Sequence, residues 1–214
     1  MTDALVSGLL LVAVLALFAW DQYRLYVARY ELAALHRTTL RDPLTGLANR
    51  TGLADAWTQL AALRPWVVVV DLDGFKPFND TQGHAAGDLV LTAVASRLRQ
   101  VHGVAARLGG DEFAALLLDP NPAAAARQMA AAITAPVRLP SGVTVSVTAS
   151  IGLAPASPAG LAAALADADA AMYRAKTTRT GVAVFDRHRD DHATDTRPTV
   201  RVRDLTAAAG EVSR

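Results

Sequence analysis

The chain begins with a stretch that carries almost no polar character. Residues 4–20 form a run of 17 residues without a charged side chain, rich in leucine, valine and alanine. At a helical rise of ~1.5 Å per residue the run spans roughly 25 Å, slightly less than the ~30 Å hydrocarbon core of a bilayer. Trp20, Tyr23 and Tyr26 follow it, where a membrane protein carries its aromatic belt. The pattern predicts an N-terminal transmembrane helix over residues 1–20.

Two other interpretations of this run are weaker. A secretory signal peptide begins with basic residues, whereas this chain begins with Asp3 and no basic side chain. A buried helix of a soluble domain would show a polar face, which the run lacks. Basic residues mark the cytoplasmic side of a membrane helix, and here they all follow the run: Arg24, Arg29, Arg37 and Arg41. We therefore expect a single-pass protein of the cell membrane whose later residues are cytoplasmic.

Residues 21–41 have the spacing of a helix, with apolar or aromatic side chains every three or four positions and Arg37 as the misfit. Fewer than three heptads do not establish a coiled coil. Two interpretations stay open: a stalk that dimerises, and an amphipathic helix that packs on its own domain.

The pattern from residue 42 onwards is that of an α+β domain. Pro43 biases Asp42 away from helical dihedrals, so the stalk ends there. Periodicity predicts helices over residues 50–63, 85–100, 122–135 and 159–176, and strands over residues 66–72, 104–108, 113–118, 143–152 and 182–185. This order predicts a mixed β-sheet surrounded by helices over residues 42–186. The polar residues 187–214 predict a disordered tail.

Composition narrows the class of protein. A hydrophobic share of 52% excludes a disordered chain, and a net charge of +1 gives no general attraction to nucleic acid. Cysteine is absent, which excludes disulfides, thiolate metal sites and cysteine nucleophiles.

Two acidic pairs are the candidate chemistry. Asp71 and Asp73 end a buried strand, and Asp111 and Glu112 follow the glycines of the predicted hairpin. If that hairpin adjoins the Asp71 strand, three or four carboxylates converge, and they repel one another unless a hard cation such as Mg²⁺ or Mn²⁺ neutralises them. Each half alone is more often an ordinary turn or strand end with solvated acids.

Six segments together resemble the GGDEF family of diguanylate cyclases. They are DPLTGLANR at residues 42–50, DLDGFKPFND at 71–80, GHAAGD at 83–88, RLGGDEF at 107–113, ASIG at 149–152 and ADAAMYRAK at 168–176. The resemblance implies a fold akin to nucleotidyl cyclase cores and polymerase palms. It also implies a reaction that joins two GTP molecules into cyclic di-GMP and releases two pyrophosphates. Because each domain of that family holds one GTP, the resemblance implies a homodimer.

The same resemblance implies roles for particular residues. Asp71, the Leu72 carbonyl, Asp111 and Glu112 would bind the metal ions, and Asp111 and Glu112 would help to deprotonate the attacking ribose hydroxyl. Asn79 and Asp88 would bind guanine, although both also suit helix capping around glycine turns. The remaining substrate contacts would come from Lys76, Lys176, Gly109, Gly110 and Arg179.

The sequence departs from the family pattern at two places. The positions of a product-binding Arg-x-x-Asp motif hold Gln100 and Gly103, so we predict no feedback inhibition through it. Members carry Gly-Arg a few residues after the final lysine, whereas this chain has TTRTG at residues 177–181, in which Arg179 is the candidate replacement. The competing hypotheses are a catalytically silent GTP-binding or interaction module and an enzyme with an adenine-containing product. His188 and His192 flank two aspartates, but we interpret this polar stretch as solvated.

Overall fold

The computed structural model describes residues 17–26 and 40–190. Residues 17–26 form helix α1, and they belong to a unit separate from the domain that starts at Leu40. None of the helices within these two ranges is long and apolar enough to cross a bilayer. The predicted membrane helix falls mainly on residues 1–16, and most of the stalk on residues 27–39. Both predictions, like residues 191–214 of the tail, therefore lie largely outside the described residues.

The domain contains five further α-helices and seven strands among its described residues. The helices are α2 (Arg50–Leu60, followed by a 3₁₀ turn at Ala61–Leu63), α3 (Phe75–Gln82), α4 (His84–Leu98), α5 (Pro122–Thr134) and α6 (Leu161–Thr178). The strands are β1 (Trp66–Leu72), β2 (Gly103–Gly109), β3 (Glu112–Leu117), β4 (Val137–Arg138), β5 (Thr144–Val145), β6 (Ala149–Ala154) and β7 (Val182–Val184).

Five strands form one mixed sheet in the order β2-β3-β1-β6-β7. The central strand β1 pairs antiparallel with β3 and β6, whereas β6 and β7 run parallel. Strands β4 and β5 form a separate two-stranded ribbon. The predicted α+β architecture with a mixed sheet and surrounding helices is confirmed.

The valine run of β1 supplies both faces of the sheet. Val68 and Val70 contribute to one hydrophobic cluster, with residues of α4 and α5, while Val67 and Val69 contribute to another, with residues of α2 and α6. Since successive side chains of a strand point to opposite faces, a continuous apolar run is what a sheet covered on both sides requires.

Helix α6 lies very close to the sheet at Gly152. A Cβ atom at this position would lie 2.0 Å from the Ala168 carbonyl oxygen and 2.2 Å from the Met172 nitrogen. Both neighbours are backbone atoms of α6 and cannot turn aside. The glycine therefore sets the distance between β6 and the helix that carries Lys176.

The secondary structure differs from the prediction at two places. The strand predicted over residues 143–152 is two strands, because β5 pairs with β4 whereas β6 pairs with β1. Helix α3 was not predicted, since Pro77 and polar neighbours obscure its periodicity, but proline is tolerated in a first turn, where its missing N–H has no partner to lose.

The fold extends past residue 186, where the sequence predicts the tail to begin. The Asp190 side chain is fully buried and its Oδ1 lies 2.6 Å from Nε of Arg174 on α6. The prediction that Asp190 belongs to a solvated stretch is therefore wrong, because its buried carboxylate pairs with the partly exposed Arg174 of α6. His192 lies outside the described residues.

Candidate active site

The acidic turn and the end of β1 lie side by side. In the antiparallel pair of β1 and β3, Asp71 stands directly opposite Glu112. Residues opposed in this way present their side chains to the same face of the sheet. The Leu72 N–H also donates to the Asp111 carbonyl oxygen at 3.3 Å. The hairpin thus adjoins the Asp71 strand, which is the condition on which convergence of the carboxylates depends.

Burial and mutual repulsion raise the pKa of Glu112. The largest cause is its half-buried position, and the charges of Asp71, Asp111 and Asp169 add to it, while Arg50 opposes them. Burial likewise raises the pKa of Asp71 despite its ion pair with a lysine. The negative charge of both groups is therefore unfavourable in this environment.

That lysine is Lys176, in the last turn of α6, whose Nζ lies 2.5 Å from Asp71 Oδ1. Burial lowers the pKa of Lys176, but its hydrogen bond to Asp71 and the charges of Asp71, Asp73 and Asp111 raise the pKa by more in sum. The pKa of Asp71 thus rises chiefly because of burial, whereas the pKa of Lys176 rises because carboxylates surround it.

A divalent cation would compensate the excess of negative charge in this cluster. The donors here are oxygens only, which suits Mg²⁺ or Mn²⁺. No three acidic or histidine side chains within residues 17–26 and 40–190 stand close enough together to form a ready-made cage for it. The residues thus supply the right chemistry for the ion, and the ion itself would have to draw them together.

The glycine turn between β2 and β3 has a backbone conformation that residues with side chains rarely adopt, with φ of 150° at Gly109 and 52° at Gly110. A Cβ atom at either position would meet nothing within 4 Å. The backbone conformation, rather than crowding within the domain, is therefore what favours glycine here, and the turn leaves open space beside Asp111.

Two arginines hold this turn by its carbonyl groups. Arg107 donates to the Gly110 oxygen from Nε at 3.0 Å and from Nη2 at 2.8 Å, and Arg50 donates to the Leu108 oxygen at 3.3 Å. Sequence analysis assigned neither arginine a role, although both lie inside the quoted motifs. Their relevance follows only from the three-dimensional contacts.

Arg107 also connects the turn to the start of the domain. Its Nη1 lies 3.2 Å from Asp42 Oδ1, and Asp42 accepts hydrogen bonds from the Thr45 N–H at 2.8 Å and hydroxyl at 2.6 Å. Burial raises the pKa of Asp42, but the hydrogen bonds from Thr45 and Arg107 lower it by more, so the net shift is downward. Asp42 therefore stays ionised at neutral pH.

Helices α3 and α4 bring the predicted guanine-binding residues together. The Asn79 Oδ1 atom is buried and accepts no hydrogen bond from the described residues. It lies against α4 where a Cβ atom at Gly87 would be only 1.9 Å away, so the glycine makes room for the amide. Asp88 follows Gly87 and is exposed, as is Lys76 on α3. An unsatisfied buried oxygen beside an exposed carboxylate suits a ligand with N–H donors.

A cavity of about 480 Å³ lies beside Lys176. It is lined by Asp73, Thr148, Ala149, Ser150, Lys176, Arg179 and Gly181. Both oxygens of Asp73 are engaged there, with Thr148 Oγ1 at 2.8 Å from one and Ser150 Oγ at 2.8 Å from the other. Asp73 therefore does not join the Asp71–Glu112 pair as a fourth converging ligand, because two hydroxyls hold its carboxylate.

Known proteins resemble the chain over this domain. The family model that matches residues 39–181 is described as the GGDEF domain of diguanylate cyclases. The chain is 41% identical over 160 residues to the diguanylate cyclase DgcN of Escherichia coli K12, covering 69% of this chain and 39% of DgcN. It is 42% identical over 168 residues to the diguanylate cyclase TpbB of Pseudomonas aeruginosa UCBPP-PA14, covering 71% of this chain and 38% of TpbB.

Solved structures show the same likeness. The GGDEF domain of TpbB from P. aeruginosa PAO1 matches with a TM-score of 0.59 at 39% identity, covering 68% of this chain and 94% of that one. The coiled coil and GGDEF domain of DgcB from Caulobacter crescentus, solved with c-di-GMP, matches with a TM-score of 0.67 at 28% identity, covering 79% and 97%. The chain thus spans less than two fifths of DgcN and of TpbB, while matching isolated domains almost completely.

Proposed function

Because the chain belongs to the GGDEF family of diguanylate cyclases, we propose that it condenses two GTP molecules into cyclic di-GMP with release of two pyrophosphates. The observation that carries the proposal is the placement of Asp71 opposite Glu112, beside an open glycine turn. This pairing places carboxylates of raised pKa where backbone can approach a nucleotide closely.

The metal ligands in this proposal are Asp71, the Leu72 carbonyl, Asp111 and Glu112. When bound, Mg²⁺ or Mn²⁺ would lower the pKa of the ribose 3′-hydroxyl and offset charge on the phosphates. Asp111 and Glu112, the two acids of the turn, would help to accept the hydroxyl proton, because Glu112 lies directly opposite the metal-binding Asp71 and Asp111 precedes it. Phosphoryl transfer otherwise requires mainly positioning, which the arginine-held turn provides.

Guanine selection falls to Asn79 and Asp88 in the proposal. The unsatisfied Asn79 oxygen can accept from the N1–H or the exocyclic amine of guanine, and the Asp88 carboxylate can accept from the other. Adenine offers no equivalent pair of donors on that edge. A buried acceptor that is satisfied by the correct base alone gives strong discrimination.

The triphosphate would lie along the cavity beside α6. Lys176 and Arg179 line it, and Lys76 is exposed on α3 at the same end of the sheet. Gly109 and Gly110 would contact the ribose and the α-phosphate, since neither position carries a side chain that could interfere. Lys176 would then interact both with Asp71 and with the phosphates.

The reaction requires two domains that face each other, because each 3′-hydroxyl attacks the other domain's GTP. We propose that the N-terminal residues supply this homodimer, with residues 1–20 as an anchor in the cell membrane and residues 21–41 as a stalk. Attachment to a membrane and a shared stalk would raise the local concentration of the domains. The domain would then face the cytoplasm.

The decisive experiment incubates the full chain with GTP and Mg²⁺ and separates the products chromatographically. We expect cyclic di-GMP from the wild type and from the control Asp55→Asn, which changes an acid of α2. Asp111→Ala and Glu112→Ala should remove the product. Binding of GTP without product, even from an artificially dimerised chain, would instead identify a silent binding module. Competition between GTP and ATP tests the adenine alternative.

A further inference from the structure

A single residue, Asp73, joins the corner between β1 and α3 to the segment at the start of β6. Asp73 follows β1, and its N–H donates to the Thr148 carbonyl oxygen at 2.9 Å. Its carboxylate accepts from the hydroxyls of Thr148 and Ser150, at 2.8 Å in each case. Three hydrogen bonds therefore join this one residue to a segment 75 to 77 positions later.

The other side of the corner is fixed by packing. Gly74 has φ of 69°, and the next residue, Phe75, is 5% exposed and lies in the core cluster that contains Val70 and Leu72. Asp73 and Phe75 thus restrain the chain on either side of a single flexible residue. The corner between the metal-binding strand and α3 has little freedom to move while both restraints hold.

Asp73 also lines the cavity that contains Lys176 and Arg179. An unscreened carboxylate would repel a polyphosphate in this place. Since both its oxygens accept from hydroxyl groups, its charge is partly compensated and its rotamer is held. The two hydroxyls therefore act on the cavity in two ways: they fix its wall and moderate its negative potential.

We propose that Thr148 and Ser150 are positioning residues that set the affinity for the triphosphate of GTP through Asp73. This inference rests on the proposed function of the same site. Neither hydroxyl needs to touch the reacting atoms. Their effect reaches the substrate through the corner that carries Asp71 before it and Lys76 after it.

The test removes each hydroxyl while keeping side-chain shape, in the full chain. Thr148→Val and Ser150→Ala should each raise the KM for GTP, and the double variant should raise it roughly tenfold, since hydrogen bonds to a charged group are the stronger class. The kcat should stay within about twofold, because the turn that carries Glu112 is held separately by its arginines. Thr148→Ser, which keeps the hydroxyl at an exposed position, should retain the wild-type KM.

The control is Thr134→Val, which removes an exposed hydroxyl that bonds only within α5. Its KM should equal that of the wild type. An unchanged KM in the double variant, or a loss confined to kcat, would overturn the inference. If the wild type makes no cyclic di-GMP, the proposed function fails, and equilibrium binding of GTP then decides the inference: equal dissociation constants for wild type and double variant would reject it.

Discussion

Replacing Arg179 by glycine should stabilise the fold and weaken substrate binding at the same time. Arg179 ends α6 in the left-handed region, with φ of 55° and ψ of 35°, and its N–H contacts the carbonyl oxygens of Ala175 and Lys176. An L-residue pays roughly 1–2 kcal/mol for this conformation, whereas glycine adopts it freely. Its side chain, meanwhile, lines the cavity assigned to the triphosphate.

The expected gain in stability is the difference of two terms. Glycine removes the roughly 1–2 kcal/mol of strain but costs about 0.5–1 kcal/mol more conformational entropy on folding. The net gain lies between about 0 and 1.5 kcal/mol, with a central value of about 0.75 kcal/mol in favour of glycine. For a chain of this size, a change of ~1 kcal/mol shifts Tm by roughly 2–4 °C, so the central value corresponds to a rise in Tm of about 1.5–3 °C.

The assay pairs thermal unfolding with steady-state kinetics, and Arg64→Gly is the matched control. Arg64 is the other non-glycine residue of positive φ among the described residues, at 51°, and it is exposed after the 3₁₀ turn, away from the cavity. Both variants should unfold at a higher temperature. Only Arg179→Gly should raise the KM for GTP.

Two results would refute this reasoning. A lower Tm for Arg179→Gly would mean that the arginine side chain contributes more to stability than its backbone strain removes. An unchanged KM would mean that Arg179 has no part in binding the phosphates, and that its position in the cavity wall has no functional consequence.

Three further predictions concern other parts of the domain. Asp190→Ala should lower the free energy of unfolding by about 1.5–3 kcal/mol in urea titrations, because Arg174 loses the charged hydrogen bonds of a fully buried carboxylate. A loss below ~0.5 kcal/mol would contradict a stabilising role for the Arg174–Asp190 pair. Gly87→Ala should raise the KM for GTP, since the new Cβ displaces the Asn79 oxygen, and an unchanged KM would contradict that oxygen's role. The pKa of Glu112 in the metal-free fold is raised above its ordinary 4.5, so between these two pKa values the folded chain keeps a proton that the unfolded chain has lost. The free energy of unfolding should therefore fall as pH rises from the unfolded pKa through the folded pKa. Glu112→Gln should make this fall less steep, and an equal slope in both proteins would contradict the raised pKa of Glu112.

Local sequence patterns predict the structure correctly where one kind of interaction determines it. The valine run of β1 has the bounds that periodicity predicts, residues 66–72, because both faces of that strand are covered. The hairpin around Gly109 and Gly110 was predicted to within one residue at each strand end, since the glycines dictate the turn. The convergence of Asp71 and Glu112 needed one extra assumption, the adjacency of two strands.

The contacts that could not be predicted from the sequence join residues that are far apart in the chain. Lys176 meets Asp71 across 105 residues, and the pairing depends on how closely α6 packs at Gly152. The roles of Thr148 and Ser150 likewise appear only when β6 lies beside β1. Asp190 was misjudged because a buried ion pair and a solvated acid are indistinguishable in a polar stretch of sequence.

The Asp42–Arg107 pair has a mechanical consequence for the way the chain enters the domain. Two side chains in series connect the entry point to the carbonyl of Gly110, and this route bypasses the hydrophobic core. The pair is largely shielded, with exposed fractions of 13% and 17%, so salt weakens it little. The depressed pKa of Asp42 keeps the connection ionic throughout the neutral range. A shift in the position of Asp42 would therefore also displace Arg107, and with it the hydrogen bonds that hold the glycine turn at Gly110.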